Sequence, residues 1–141
     1  CDGLGEILDV EMTTEGAQLL SDQGRGFLAH SNHFVCKAYA TQENFSESAA
    51  DSFTRLDRMN QLMQSRDGNL ARADLEEFLR DRQNAPTAIC RSAQTTDPDA
   101  SWMTAGVTVA SIVAEPAKRQ MHIAKGPAED APFVTYEMRD I

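Results

Sequence analysis

Phe27-Leu28-Ala29-His30-Ser31-Asn32-His33-Phe34-Val35 is the stretch on which the reading of this chain turns. It follows Asp22-Gln23-Gly24-Arg25-Gly26, which has the glycines of a hairpin turn. An apolar pair then leads into two imidazoles and a carboxamide within four residues. The expected structure is a strand over Phe27 to Val35, with His30 and Asn32 on one face and Ser31 and His33 on the other. So dense a run of chemically able side chains points to part of an active site. Thr87-Ala88-Ile89-Cys90-Arg91 reads as a further part of it, and the two together do not make a whole one.

On the N-terminal side, Glu6 to Met12 alternates, with Leu8, Val10 and Met12 on one face and Asp9 and Glu11 on the other, as a half-buried strand does. Asp2-Gly3-Leu4-Gly5 reads as a turn before it, and Ala17 to Ser21 as a second strand after it. On the C-terminal side, residues 36 to 50 are polar and lead into a helix near Ser48. Phe53, Leu56, Met59, Leu62 and Met63 share one helical face, with Arg55, Asp57, Arg58, Asn60 and Gln61 largely opposite. Gly68 and Asn69 break that helix. A second one, with Leu70, Leu75, Phe78 and Leu79 inward, ends before Asn84-Ala85-Pro86.

The last third reads as sheet. Thr87 to Ser92 is a short strand and Thr95 to Ala100 a polar loop. Val107 to Ala114 pairs with Gln120 to Lys125 through Glu115-Pro116-Ala117-Lys118, and Phe133 to Met138 follows Gly126-Pro127. The pattern predicts an α+β fold, with a helical pair on one face of a mostly antiparallel sheet.

Composition narrows the function. With 13 basic and 22 acidic residues the net charge is −9, which disfavours a nucleic-acid backbone or an anionic membrane as partner. No apolar run approaches the roughly 20 residues that span a bilayer, and the N-terminus lacks a signal-peptide pattern. A length of 141 residues suits one domain or a piece of a larger one. Three cysteines without regular spacing make no disulfide framework, so a reducing cytoplasm is expected. Cys1 is either a processed terminus or an arbitrary cut.

The segments, taken in order, resemble the C-terminal half of the acyl-CoA:6-aminopenicillanic acid acyltransferase (isopenicillin N acyltransferase) family. The resemblance rests on Val10-Glu11-Met12-Thr13, on Gly26 through His30-Ser31-Asn32-His33, on Asp51-Ser52-Phe53-Thr54-Arg55, on Ala88-Ile89-Cys90-Arg91 and on Gly126-Pro127. The family reads His-Thr-Asn-His, Ser-x-x-Arg and Ser-Ile-Cys-Arg at these places; Ser31 and Ala88 are small departures. The resemblance covers nearly the whole chain. It implies an N-terminal-nucleophile hydrolase with an αββα sandwich, made as an autoproteolytic precursor. The freed catalytic cysteine attacks an amide or thioester while its own α-amine acts as base. On this alignment that cysteine lies upstream, and residues 1–141 are the C-terminal portion, not active alone.

The resemblance casts Asn32 as the oxyanion donor, a neutral carboxamide aimed at developing charge. It casts Arg91 as the arginine near the nucleophile, where it could fix a substrate carboxylate or orient an acidic partner; an ion pair at a strand end is the plain alternative. Arg55 reads as structural, tying its helix to a loop. His30, His33 and Cys36 form His-x-x-His-x-x-Cys, but residues three apart on a strand point to opposite faces, so no metal is expected. Cys36 and Cys90 read as buried thiols. No cofactor is expected; the expected partners are a small amide or acyl-CoA-like substrate and the upstream half of the precursor. Two other readings stay open: a catalytically silent scaffold of the same fold, and a small enzyme using Cys1 as nucleophile.

Overall fold

The computed structural model of the chain describes residues 7–40, 50–66, 69–92 and 106–138. Cys1, the turn at Asp2 to Gly5, Ser48, Gly68 and the loop at Thr95 to Ala100 lie outside the described residues. The chain divides into two compact units, Cys1–Gly68 and Asn69–Ile141. Helices and antiparallel sheets together make the fold α+β.

In the first unit, β1 (Asp9–Thr13) and β2 (Gly16–Leu20) form an antiparallel hairpin in which Val10 faces Leu19 and Glu11 faces Gln18. The alternation is as expected, but its polarity is reversed. Glu11 is buried, while Leu8 and Met12 are about two-thirds exposed and Val10 is exposed too. The carboxylate goes inward because three donors converge on it, as described below. The turn after β2 forms as its glycines require: the Asp22 carboxylate accepts the Gly24 and Gly26 N–H groups, and both glycines sit at positive φ.

The strand expected over Phe27 to Val35 is not a strand. Two of its amides are taken by side chains rather than by a neighbouring ladder: Ser52 holds Asn32 and Glu11 holds Val35, together with Cys36 just beyond. A short helix, α1 (Lys37–Ala40), follows, and α2 spans Ala50–Gln64. On α2 the expected apolar face holds except at Phe53. Ser52 and Leu56 are buried, whereas Phe53 is exposed, although its ring lies 3.9 Å from that of His33.

In the second unit, α3 (Arg72–Phe78) starts at Ala71, whose N–H bonds to the Asp74 carboxylate. Phe78 is fully buried at its end. β3 (Ala110–Glu115), β4 (Gln120–Lys125) and β5 (Val134–Glu137) form an antiparallel meander. A 3₁₀ turn, Pro116–Lys118, joins the first two, with Arg119 left-handed at its end. Register puts Val113, His122 and Thr135 side by side on one face, and α3 packs against β3. The opposite face carries Ile112, Ile123 and Val134, then Ala114, Met121 and Tyr136; Ile112, Val134 and Tyr136 are about half exposed.

Thr87 to Ser92, also expected as a strand, forms no ladder. Its burial alternates as a strand's would, with Ala88, Cys90 and Ser92 inside. Its backbone hydrogen bonds run instead to Asn84, Asp81 and Thr108: Thr87 N–H donates to the Asn84 carbonyl, Cys90 N–H to the Asp81 carbonyl, and Thr108 N–H to the Arg91 carbonyl. Among the described residues, no helix is long and apolar enough to cross a membrane.

Candidate active site

The loop carrying the His-Ser-Asn-His motif hangs from two buried side chains. The first is Glu11 on β1. Its Oε1 accepts the Nε2–H of His30 at 2.9 Å and the N–H of Val35, and its Oε2 accepts the N–H of Cys36 at 2.8 Å. A carboxylate only accepts, so Nε2 is the protonated nitrogen of His30. Burial pushes the Glu11 carboxyl up, but the bonds from Val35, His30 and Cys36 outweigh it and hold the group below its ordinary range.

The second is Ser52, in the first turn of α2 and 1% exposed. Its hydroxyl donates to Ser31 Oγ at 3.0 Å and accepts the Asn32 N–H at 2.7 Å. It also meets His33 Nδ1 at 2.7 Å. The hydroxyl's bonding capacity is thereby filled. Ser31 and His33 thus meet Ser52 through their side chains and Asn32 through its backbone N–H.

Asn32 is itself exposed. Its Oδ1 accepts a 2.7 Å hydrogen bond from Arg55 Nη2. Oxygen and nitrogen of a carboxamide are assigned from their partners. Here the partner decides, because a guanidinium can only donate. The oxygen must face Arg55, and the NH₂ end, which donates to nothing among the described residues, faces away from it. Arg55 is also 3.6 Å from the Asp51 carboxylate.

Asn32 lies in the first unit and Arg91 in the second. Arg91 is half-buried, its N–H donating to Thr108 Oγ1 at 3.0 Å. Its guanidinium lies over Gly106, where an added Cβ would sit 3.3 Å from Nη2. Cys90 beside it is 1% exposed; Cys36, expected to be buried, is only half so. Neither histidine of the His-x-x-His-x-x-Cys spacing is turned to a shared point: His30 goes to Glu11 and His33 to Ser52. Among the described residues no three His, Cys, Asp or Glu side chains are grouped to hold a metal.

Sequence reasoning missed a second polar cluster. His122, 2% exposed, donates from Nε2 to Glu115 at 2.9 Å. Its Nδ1 accepts from Thr135 Oγ1 at 2.8 Å and from Arg72 at 3.1 Å. Arg72 only donates, so Nδ1 accepts and Nε2 carries the proton that Glu115 receives. The signal was legible: His122 alternates with Met121 and Ile123 inside a strand. The inward turn of Glu11 had no such signal, since alternation put it on the polar face.

The comparison with protein families supplies the class, an acyltransferase-type protein with an acyl-CoA-like substrate. The model of one family, acyl-coenzyme A:6-aminopenicillanic acid acyl-transferase, matches residues 1–129, and the chain belongs to that family. A search of curated proteins finds no match.

Proposed function

We propose that this chain is the C-terminal portion of a cysteine N-terminal-nucleophile amidohydrolase or acyltransferase, in which Asn32 is the oxyanion donor. The nucleophile comes from the upstream part of the same precursor, and the two parts complete an αββα sandwich. Its thiolate adds to the carbonyl carbon of an amide or thioester, and the α-amine takes the thiol proton. Negative charge moves to the carbonyl oxygen, where the Asn32 Nδ2–H donates. Collapse expels the amine or thiol leaving group and leaves an acyl-cysteine. An amine or water then attacks that carbonyl in turn and releases the product. Arg91 fixes a substrate carboxylate or orients an acidic partner near the nucleophile.

One observation carries this reading: Asn32 is exposed, its side-chain oxygen is taken by Arg55, and its NH₂ donates to nothing among the described residues. That is the preorganisation an oxyanion site needs, with no dipole left to reorient during reaction. The exposed apolar sheet faces, Leu8, Val10 and Met12 in one unit and Ile112, Val134 and Tyr136 in the other, support the presence of further chain that covers them.

The test is Asn32→Ala in the complete enzyme. Turnover should fall about 10²–10³-fold, the usual loss of one oxyanion donor, with melting little changed because the side chain is exposed. Unchanged kcat would remove Asn32 from the mechanism.

A further inference from the structure

We infer that Arg55 is a positioning residue for this reaction, holding the Asn32 carboxamide in the one orientation that can donate to an oxyanion. The inference rests on the reading of Asn32 given above and adds the residue that makes it work.

The terminal torsion of an asparagine is broad and nearly two-fold. On an exposed loop, an unrestrained Asn32 would sample its χ1 rotamers as well as both amide orientations, so it would present its donor to the reacting carbonyl only a small part of the time and its oxygen as often. An oxygen aimed at a developing oxyanion repels it. Arg55 removes that state, because flipping the amide would set its NH₂ against Nη2–H at 2.7 Å. Ser52, one helical turn earlier on α2, holds the other end of the same residue through its backbone N–H at 2.7 Å. Residues three apart on a helix share a face, so a single turn of α2 grips Asn32 at two points.

The guanidinium is itself constrained. Asp51 lies 3.6 Å from Nη2, and Nε is buried without a hydrogen-bond partner among the described residues. A lysine, a point charge on a flexible stem, would not reproduce the planar approach.

The experiment is a double-mutant cycle in the complete enzyme, assayed on acyl-coenzyme A thioesters from acetyl to decanoyl by release of free thiol. Arg55→Ala should lower kcat about 10–100-fold, as misplacement of a catalytic group does, with KM within about twofold. Asn32→Ala should lower it further, and the double variant should equal Asn32→Ala alone, since Arg55 has nothing left to orient. Added guanidinium ion should restore the Arg55→Ala enzyme and leave the double variant unchanged. Should the alanine variant not fold, Arg55→Lys carries the same comparison.

An Arg55 variant with wild-type kcat, or effects that multiply in the double variant, overturns the inference while the oxyanion reading stands. An Asn32→Ala enzyme with full turnover overturns both.

Discussion

Removing the Glu11 carboxylate should loosen the loop that carries Asn32, and the size of the effect follows from the bonds it makes. Glu11→Ala deletes the acceptor of the Val35 and Cys36 N–H groups and of His30. His30 has about a third of its side chain in solvent and can bond to water instead. The two amides are part-buried, and each unsatisfied donor costs about 1–3 kcal/mol. Relief of burying the carboxylate offsets part of that sum. The net loss should be about 2–4 kcal/mol.

Glu11→Gln keeps the shape but has one acceptor oxygen. Seated at Oε1 that oxygen serves His30 and Val35, and the NH₂ then confronts the Cys36 N–H. The cost should be smaller, about 1–3 kcal/mol, and concentrated at Cys36. Amide hydrogen exchange at Val35 and Cys36 reads this directly. At tenfold per 1.4 kcal/mol, Glu11→Ala should speed exchange of both amides by roughly 30–1,000-fold. Glu11→Gln should speed Cys36 more than Val35.

The pH dependence has a definite sign. The folded-state pKa of Glu11 lies below its unfolded value near 4.3, so its stabilisation is fully present above that value and disappears as pH falls through the folded one. Protection of Val35 and Cys36 should therefore weaken below about pH 4 in the wild type. It should not do so additionally in Glu11→Gln. Wild-type exchange rates in Glu11→Ala would refute the account of the loop.

His122→Leu should destabilise the second unit by about 1–3 kcal/mol, because Glu115, Thr135 and Arg72 lose their common partner; an unshifted urea midpoint would contradict this. The Lys118 ammonium holds the Glu115 carboxyl low against partial burial, and His122 adds to the effect, so this unit's stability should also fall as acid protonates Glu115. Gly106→Ala should displace the Arg91 guanidinium by a few tenths of an ångström, raising KM for carboxylate-bearing substrates with melting little changed; an unaltered KM would detach Arg91 from substrate. The isolated 141-residue chain should run in gel filtration above its 15.5 kDa, through its exposed apolar faces and open sheet edges; a sharp monomeric peak would overturn that.

The amino-acid sequence by itself determined the local elements. The hairpin of β1 and β2, the glycine turn after it, α2, α3 and the meander of β3, β4 and β5 all follow from alternation, helical spacing and turn chemistry, which act over a few residues. The order of short motifs also carried the family. Tertiary structure decided what became of the two stretches richest in chemistry. Phe27 to Val35 and Thr87 to Ser92 have strand-like composition, but their backbone partners are Glu11, Ser52, Asp81 and Thr108, many residues away. Local pattern cannot announce a distant group, side chain or carbonyl, that takes an amide away from a ladder. The same cause reversed β1: three donors brought together by the fold satisfy a carboxylate well enough to bury it, and its apolar neighbours turn outward on the opposite face.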